Sequence, residues 1–120
     1  MMSSATSPAA ASTSQHMTAN DFATAIAQPG TIVLDVRTPA EYATGHLPKA
    51  LNIDFEGPDF TTRIGALDKK ATYAVYCHSG NRSNAALQQM AAADFTHAFD
   101  LAGGIGAWQS MGGPMSMGTP

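Results

Sequence analysis

Ile32-Val33-Leu34-Asp35-Val36 constrains this chain more than any other segment. It is short, rich in β-branched residues and apolar without alternation up to Asp35. That pattern belongs to a strand buried on both faces. Such a strand needs a covering layer above and below. Thr72-Tyr73-Ala74-Val75-Tyr76 is a second strand of the same kind. The stretches around these strands read as helices. Thr18 can cap a helix with Asp21 at its third position and a Phe22, Ala25, Ile26 stripe, ended by Pro29-Gly30. Thr38-Pro39-Ala40-Glu41 is a second helix start, with a cap, a proline and a glutamate in the preferred places, and Gly45 closes it. Asp59 is expected to cap a third helix carrying Phe60, Ile64 and Leu67. Ala85, Ala86, Leu87, Met90 and Ala91 form a fourth. Ala50–Ile53 and Phe99–Leu101 are further short strands. Ala102-Gly103-Gly104 opens a last helix with Ile105 and Trp108, stopped by Gly112-Gly113-Pro114. Strand and helix alternate, so the expected architecture is a single α/β domain of three layers, α/β/α, around a mostly parallel sheet.

Residues 1–16 are Ser, Ala and Thr with little apolar content. They have neither the cationic start and apolar centre of a secretory signal nor the arginines of a transit peptide. A disordered tail is expected over 1–16, a folded domain over 17–114 and a frayed end over 115–120. A formal net charge of −3, with charged residues at only 12%, excludes a general nucleic-acid binder, which needs a dense cationic face. No apolar run reaches the roughly twenty residues that span a bilayer. Cys77 is the single cysteine. It excludes an intramolecular disulfide and a Cys-only zinc site, and it favours a reducing, cytoplasmic location. No His, Asp or Glu spacing suggests a metal, and the glycines do not follow a nucleotide fingerprint. The expectation is a monomer without metal or cofactor, having no nucleic-acid or membrane partner.

The chemistry concentrates where Thr72–Tyr76 runs into Cys77-His78-Ser79-Gly80-Asn81-Arg82-Ser83. Ligands of open α/β sheets bind beyond the carboxyl ends of the strands, and first-turn helix amides point into that space. Gly80 permits a tight turn. The loop should therefore curl with its amides inward as an anion nest. The first anion it would hold is the Cys77 sulfur. Amide donors, the positive helix end and Arg82 all favour thiolate over thiol, which makes an accessible Cys77 the candidate nucleophile. Arg82 follows Cys77 at Cys-x4-Arg spacing. Phosphatases of the Cys-x5-Arg type need one more residue to surround a phosphate. The smaller ring fits a single sulfur on the cysteine and favours sulfur over phosphorus chemistry.

The chain resembles the single-domain rhodanese-like sulfurtransferases. The matching pieces are Leu34-Asp35-Val36-Arg37 with Glu41-Tyr42, Gly45-His46-Leu47-Pro48 with Ala50–Ile53, Val75–Ser83, and Leu101-Ala102-Gly103-Gly104-Ile105 with Ala107-Trp108. The resemblance runs in family order over about Asp21 to Pro114. It implies a sulfurtransferase that takes a sulfane sulfur from thiosulfate or a similar anionic donor. The sulfur is carried as a Cys77 persulfide and passed to a thiol or cyanide. It also implies that the amides of His78, Ser79, Gly80, Asn81 and Arg82 hold the terminal sulfur. With no second cysteine, the acceptor must come from outside the chain. The loop is only weakly cationic, so a protein persulfide is an alternative donor. A carrier or partner-binding module with little turnover is the alternative function, and a phosphatase or arsenate reductase a second rival.

Asp35, Arg37, Glu41 and Ser83 are expected to support the site. Arg37 and Glu41 can pair across the second helix start, and Asp35 can anchor the loop at its strand end. Arg82 either binds substrate or ties the loop to a carboxylate. His46 reads as a structural turn residue and His78 as a side chain at the mouth of the loop. His16 and His97 carry no signal.

Overall fold

The computed structural model describes residues 15–119. The elements in chain order are β1 (Gln15–Met17), α1 (Ala19–Ile26), β2 (Thr31–Asp35), α2 (Pro39–Thr44), β3 (Leu51–Asn52), α3 (Phe60–Gly65), β4 (Thr72–Tyr76), α4 (Asn81–Ala92), β5 (Ala98–Leu101) and α5 (Gly104–Ser110). The five strands form one parallel sheet in the order β1-β5-β4-β2-β3.

Side chains on a strand alternate between the two faces of a sheet. Leu34, Tyr73, Val75 and Cys77 join Phe60 and Ile64 of α3 and Ala86, Leu87 and Met90 of α4 on one face. Val33, Ala74, Tyr76, Phe99 and Leu101 join Phe22 of α1, Tyr42 of α2, and Ile105 and Trp108 of α5 on the other. The three-layer α/β/α arrangement read from the alternation is therefore the observed one. The Thr38 capping box is complete, with the hydroxyl accepting from Glu41 and the Glu41 carboxylate accepting from the Thr38 amide. Asp59, by contrast, makes no side-chain cap on α3, because its backbone (φ −103°, ψ 12°) is not in the extended conformation that turns a capping side chain onto the first amides.

Both expected domain limits shift. The sheet begins at Gln15, because β1 pairs with β5 in the register Gln15–Phe99, His16–Asp100 and Met17–Leu101. Of the tail expected over 1–16, residues 1–14 lie outside the described residues. At the other end the chain is fastened rather than frayed. His46 and Ser116 exchange two backbone hydrogen bonds of 2.9 and 2.7 Å, Trp108 donates its indole N–H to Pro114 at 2.9 Å, and Met115 packs on the α1–α5 face.

The chain leaves β2 toward β3 on one side and leaves β4 toward β5 on the other. The strand order therefore diverges between β2 and β4, which opens a crevice at their carboxyl ends. The chain segment Asp35-Val36-Arg37 leaves β2 on one side of it and Tyr76-Cys77-His78 leaves β4 on the other, with Arg37 and His78 reaching the pocket there.

Candidate active site

Cys77 follows the last residue of β4, and its loop turns at Gly80 into α4. Gly80 has φ +112°, the left-handed region that glycine enters without strain, and it caps the helix with backbone alone. That turn aims the Gly80 N–H at the Cys77 sulfur, 3.0 Å away. The amides of His78, Ser79, Asn81 and Arg82 do not donate to it, so the expected ring of donors around the cysteine reduces to one. The first-turn amides of α4 have no partner within the helix, and a helix end of this kind favours an anion.

The expectation of an accessible thiol also fails in this conformation. Cys77 has no exposed surface and packs with the apolar cluster under α4. A pocket of about 280 Å³ opens beside it instead, lined by Arg37, Glu41, Gly45, His78, Ile105 and Gln109 among others. His78 is the exposed neighbour of Cys77 that reaches this pocket, as its position in the loop suggested. A larger, mostly apolar hollow of about 500 Å³ lies between α1, the amino-terminal half of β2 and Trp108. Neither Cys77 nor any residue of its loop lines it, and its wall is mostly apolar, with Thr31 and Lys49 as its polar members.

Of the two roles open to Arg82, the structure selects the carboxylate tie. Its guanidinium donates to both oxygens of Glu41 at 2.7 and 3.0 Å, and Glu56 stands 3.9 Å away. Each partner holds the other charged: the hydrogen bonds from Arg82 keep Glu41 at about 2, and Glu41 raises Arg82. This pair fastens α4 to α2 across the mouth of the crevice. The expected Arg37–Glu41 pair is therefore absent. Arg37 pairs with Asp35 instead, because the turn after β2 folds it back over its own strand. Its Nε and Nη2 meet the Asp35 carboxylate at 2.7 to 3.1 Å, and Nη2 also donates to the Gly45 carbonyl at 2.7 Å.

Asp35 does anchor its loop, as expected. It accepts from the Arg37 amide at 2.8 Å and from the Tyr76 hydroxyl at 2.6 Å. Burial, with the Asp35 charge beside it, drives the Tyr76 hydroxyl far above the usual range. Burial opposes the Arg37 charge, but Asp35 outweighs it and raises Arg37. Asn52 donates to the carbonyls of Asp35 and Arg37 and closes the knot. His46 is structural: it bonds the Tyr42 carbonyl at 2.8 Å and stacks on the Tyr42 ring.

Two features escape a sequence reading. Gly104, at the opening of α5, packs its backbone against Cys77 and His78. A Cβ there would overlap the His78 carbonyl, and Ile105 donates to the Cys77 carbonyl at 3.0 Å. The start of α5 thus buttresses the cysteine loop from below. The second feature is a polar chain behind the sulfur. The Cys77 thiol faces Ser83 Oγ at 3.6 Å, Ser83 donates to Asp100 Oδ2 at 2.7 Å, and Asp100 Oδ1 meets His16 Nδ1 at 2.6 Å. His16 and Asp100 stand 84 positions apart, and only strand pairing unites them. The one available signal was Asp100 itself, a charge inside an apolar strand. Among the described residues no cluster of three or more His, Cys, Asp or Glu could hold a metal ion, and no helix is long and apolar enough to cross a membrane.

Comparison with known proteins agrees with this fold. A family model described as Rhodanese-like domain matches residues 18–111. Thiosulfate sulfurtransferase 16, chloroplastic, from Arabidopsis thaliana is 34% identical over 91 residues, covering 68% of this chain and 76% of that protein. Thiosulfate sulfurtransferase GlpE from Pseudomonas fluorescens (strain SBW25) is 30% identical over 90 residues, covering 75% and 81%. The crystal structure of a rhodanese-related protein from Thermoplasma volcanium superposes with a TM-score of 0.76 at 30% identity, over 85% of this chain and 97% of that one.

Proposed function

The chain belongs to the rhodanese-like family, and from that premise we propose that it is a sulfurtransferase carrying sulfane sulfur on Cys77, with thiosulfate or a related anion as donor. The observation that carries this reading is the Gly80 N–H, 3.0 Å from Sγ, at the amino end of α4. A helix end with unpaired amides favours an anionic sulfur and then a second anionic sulfur bound to it. The names of the related sulfurtransferases support the substrate class.

In the forward half-reaction the Cys77 thiolate attacks the outer sulfur of thiosulfate. A new S–S bond forms, the S–S bond of thiosulfate breaks, and sulfite departs with the bonding pair. The sulfur left on Cys77 carries the negative charge toward the first-turn amides of α4. In the second half-reaction cyanide or a thiolate attacks that terminal sulfur and releases the Cys77 thiolate, so ping-pong kinetics follow. Arg82 and Glu41 hold the helix that presents the amides, and Asp35, Arg37 and Tyr76 hold the opposite wall. The burial of Cys77 means that the loop opens before attack.

That burial, together with an Arg82 already engaged by Glu41, favours one second reading: a sulfur carrier that is loaded by a protein persulfide and turns over thiosulfate slowly. Steady-state assay with thiosulfate and cyanide separates the two. Turnover that disappears in Cys77→Ser supports the enzyme. A persulfide that forms but does not turn over supports the carrier. Turnover that survives Cys77→Ser contradicts both.

A further inference from the structure

Behind Cys77 the structure holds a polar relay that sulfur transfer at the loop leaves unexplained. Ser83 is fully buried and has one hydroxyl proton. Three acceptors compete for it: Asp100 Oδ2 at 2.7 Å, the Gly80 carbonyl at 3.2 Å and the Cys77 sulfur at 3.6 Å. While Cys77 is a thiol, one arrangement satisfies the chain. The thiol donates to Ser83, Ser83 donates to Asp100, and the imidazole N–H donates to the other carboxylate oxygen. Once Cys77 has lost its proton to water, its sulfur keeps the Gly80 N–H as its one donor, has room for a second in Ser83, and stands two hydrogen bonds from a buried carboxylate of like charge. Ser83 can serve that sulfur only by turning away from Asp100. Asp100 is 1% exposed and then keeps a single partner, His16, whose side chain is 48% exposed. A neutral imidazole leaves a buried charge under-satisfied, whereas an imidazolium pairs with it.

We propose that His16 and Asp100 are positioning residues for the cysteine chemistry: the charge on His16 decides whether the Ser83 hydroxyl can turn from Asp100 to an anionic sulfur. Among the described residues, the elements packed against this pair bring few other titratable or charged groups. Against β1 and β5, α1 brings only Asp21, which is exposed, and α4 brings only Arg82, which is engaged by Glu41. From β4 come Tyr73, whose hydroxyl donates to the Asp68 carbonyl, and Tyr76, which donates to Asp35; α5 brings no titratable group.

The inference rests on Cys77 being the reacting group, and its test needs no sulfur donor. The rate of Cys77 alkylation by iodoacetamide is measured across about pH 5 to 8, where imidazoles change charge, in wild type, His16→Gln, Asp100→Asn and the double variant. Glutamine can keep a hydrogen bond to Asp100 but brings no charge. His16→Gln should alkylate about tenfold more slowly at the acidic end and converge with wild type at the alkaline end. With Asp100→Asn in place, the same change should alter the rate less than about twofold, because the charge it offsets is gone. Superimposable wild-type and His16→Gln profiles would overturn the proposal, as would an undiminished His16 effect in the Asp100→Asn background or a Cys77 inert at every pH. If Asp100→Asn does not fold, the wild-type and His16→Gln profiles decide alone. A His16-dependent profile in a chain that never gains sulfur from thiosulfate would contradict the proposed sulfur transfer and leave this coupling standing.

Discussion

Asp35 and Asp100 are both buried aspartates at or near the carboxyl ends of parallel strands, and each lies beside a residue of the cysteine crevice. Their surroundings differ in one respect. Asp35 is saturated: the Arg37 guanidinium and amide and the Tyr76 hydroxyl fill both of its oxygens, and Arg37 is itself only 3% exposed. Asp100 has one hydroxyl and one half-exposed imidazole. A permanently charged, sealed partner makes a carboxylate scaffold. A titratable partner that reaches solvent makes the other carboxylate responsive. The donors around each group decide its role, not its burial or its place in the strand.

Removing Asp35 should break that comparison most forcefully. Asp35→Ala strands a buried guanidinium and a buried phenol, and should cost about 3 to 5 kcal/mol in urea denaturation. If it costs no more than a surface substitution, Asp35 is not the keystone of the β2–β4 wall. Gly104→Ala comes next. Gly104 has φ +62°, and a methyl group would collide with the His78 carbonyl. The expected loss is about 1 to 3 kcal/mol in stability, with a fall in thiosulfate turnover larger than that loss alone explains. Normal turnover in a folded Gly104→Ala protein would show that α5 does not buttress the loop.

Glu41→Gln should have a smaller effect. Its ion pair with Arg82 is a third exposed on the carboxylate side, so solvent screening limits its contribution to under about 1 kcal/mol. Glu41 sits at about 2 in the fold, below the range of a free carboxylate. Its contribution is therefore present above the unfolded carboxylate range and is lost as the pH falls through about 2. Wild type and Glu41→Gln should converge in stability at the acid end of a pH series; a gap that widens there would contradict the assignment. The smallest stability effect belongs to His16→Gln, within about 0.5 kcal/mol of wild type. A thermal melt that drops well beyond that would make His16 a structural partner of Asp100 rather than a responsive one.

The layers of the fold were legible because they follow from local pattern. The apolar run to Asp35, the Thr38 capping box and the strand before Cys77 each dictate their own conformation. The cysteine, its glycine turn and the mouth position of His78 were legible for the same reason. The pairings were not. Arg37 and Glu41 are four residues apart at a helix start, so local spacing favours them as partners. The fold instead turns Arg37 back onto Asp35 and brings Arg82 from 41 positions away to Glu41. His16 looked like part of a featureless tail until strand pairing set it opposite Asp100. The packing of Gly104 under His78 likewise depends on where α5 begins in space. Contacts between distant segments carry no local signature, and most of the supporting residues act through such contacts.

The central claim is that Cys77 holds a transferable sulfur at the amino end of α4. The direct measurement is the intact mass of the protein after incubation with thiosulfate, followed by cyanide. Wild type should gain the mass of one sulfur atom, a gain absent in Cys77→Ser and removed by cyanide. A wild-type mass that never changes, or a gain that persists in Cys77→Ser, would contradict it.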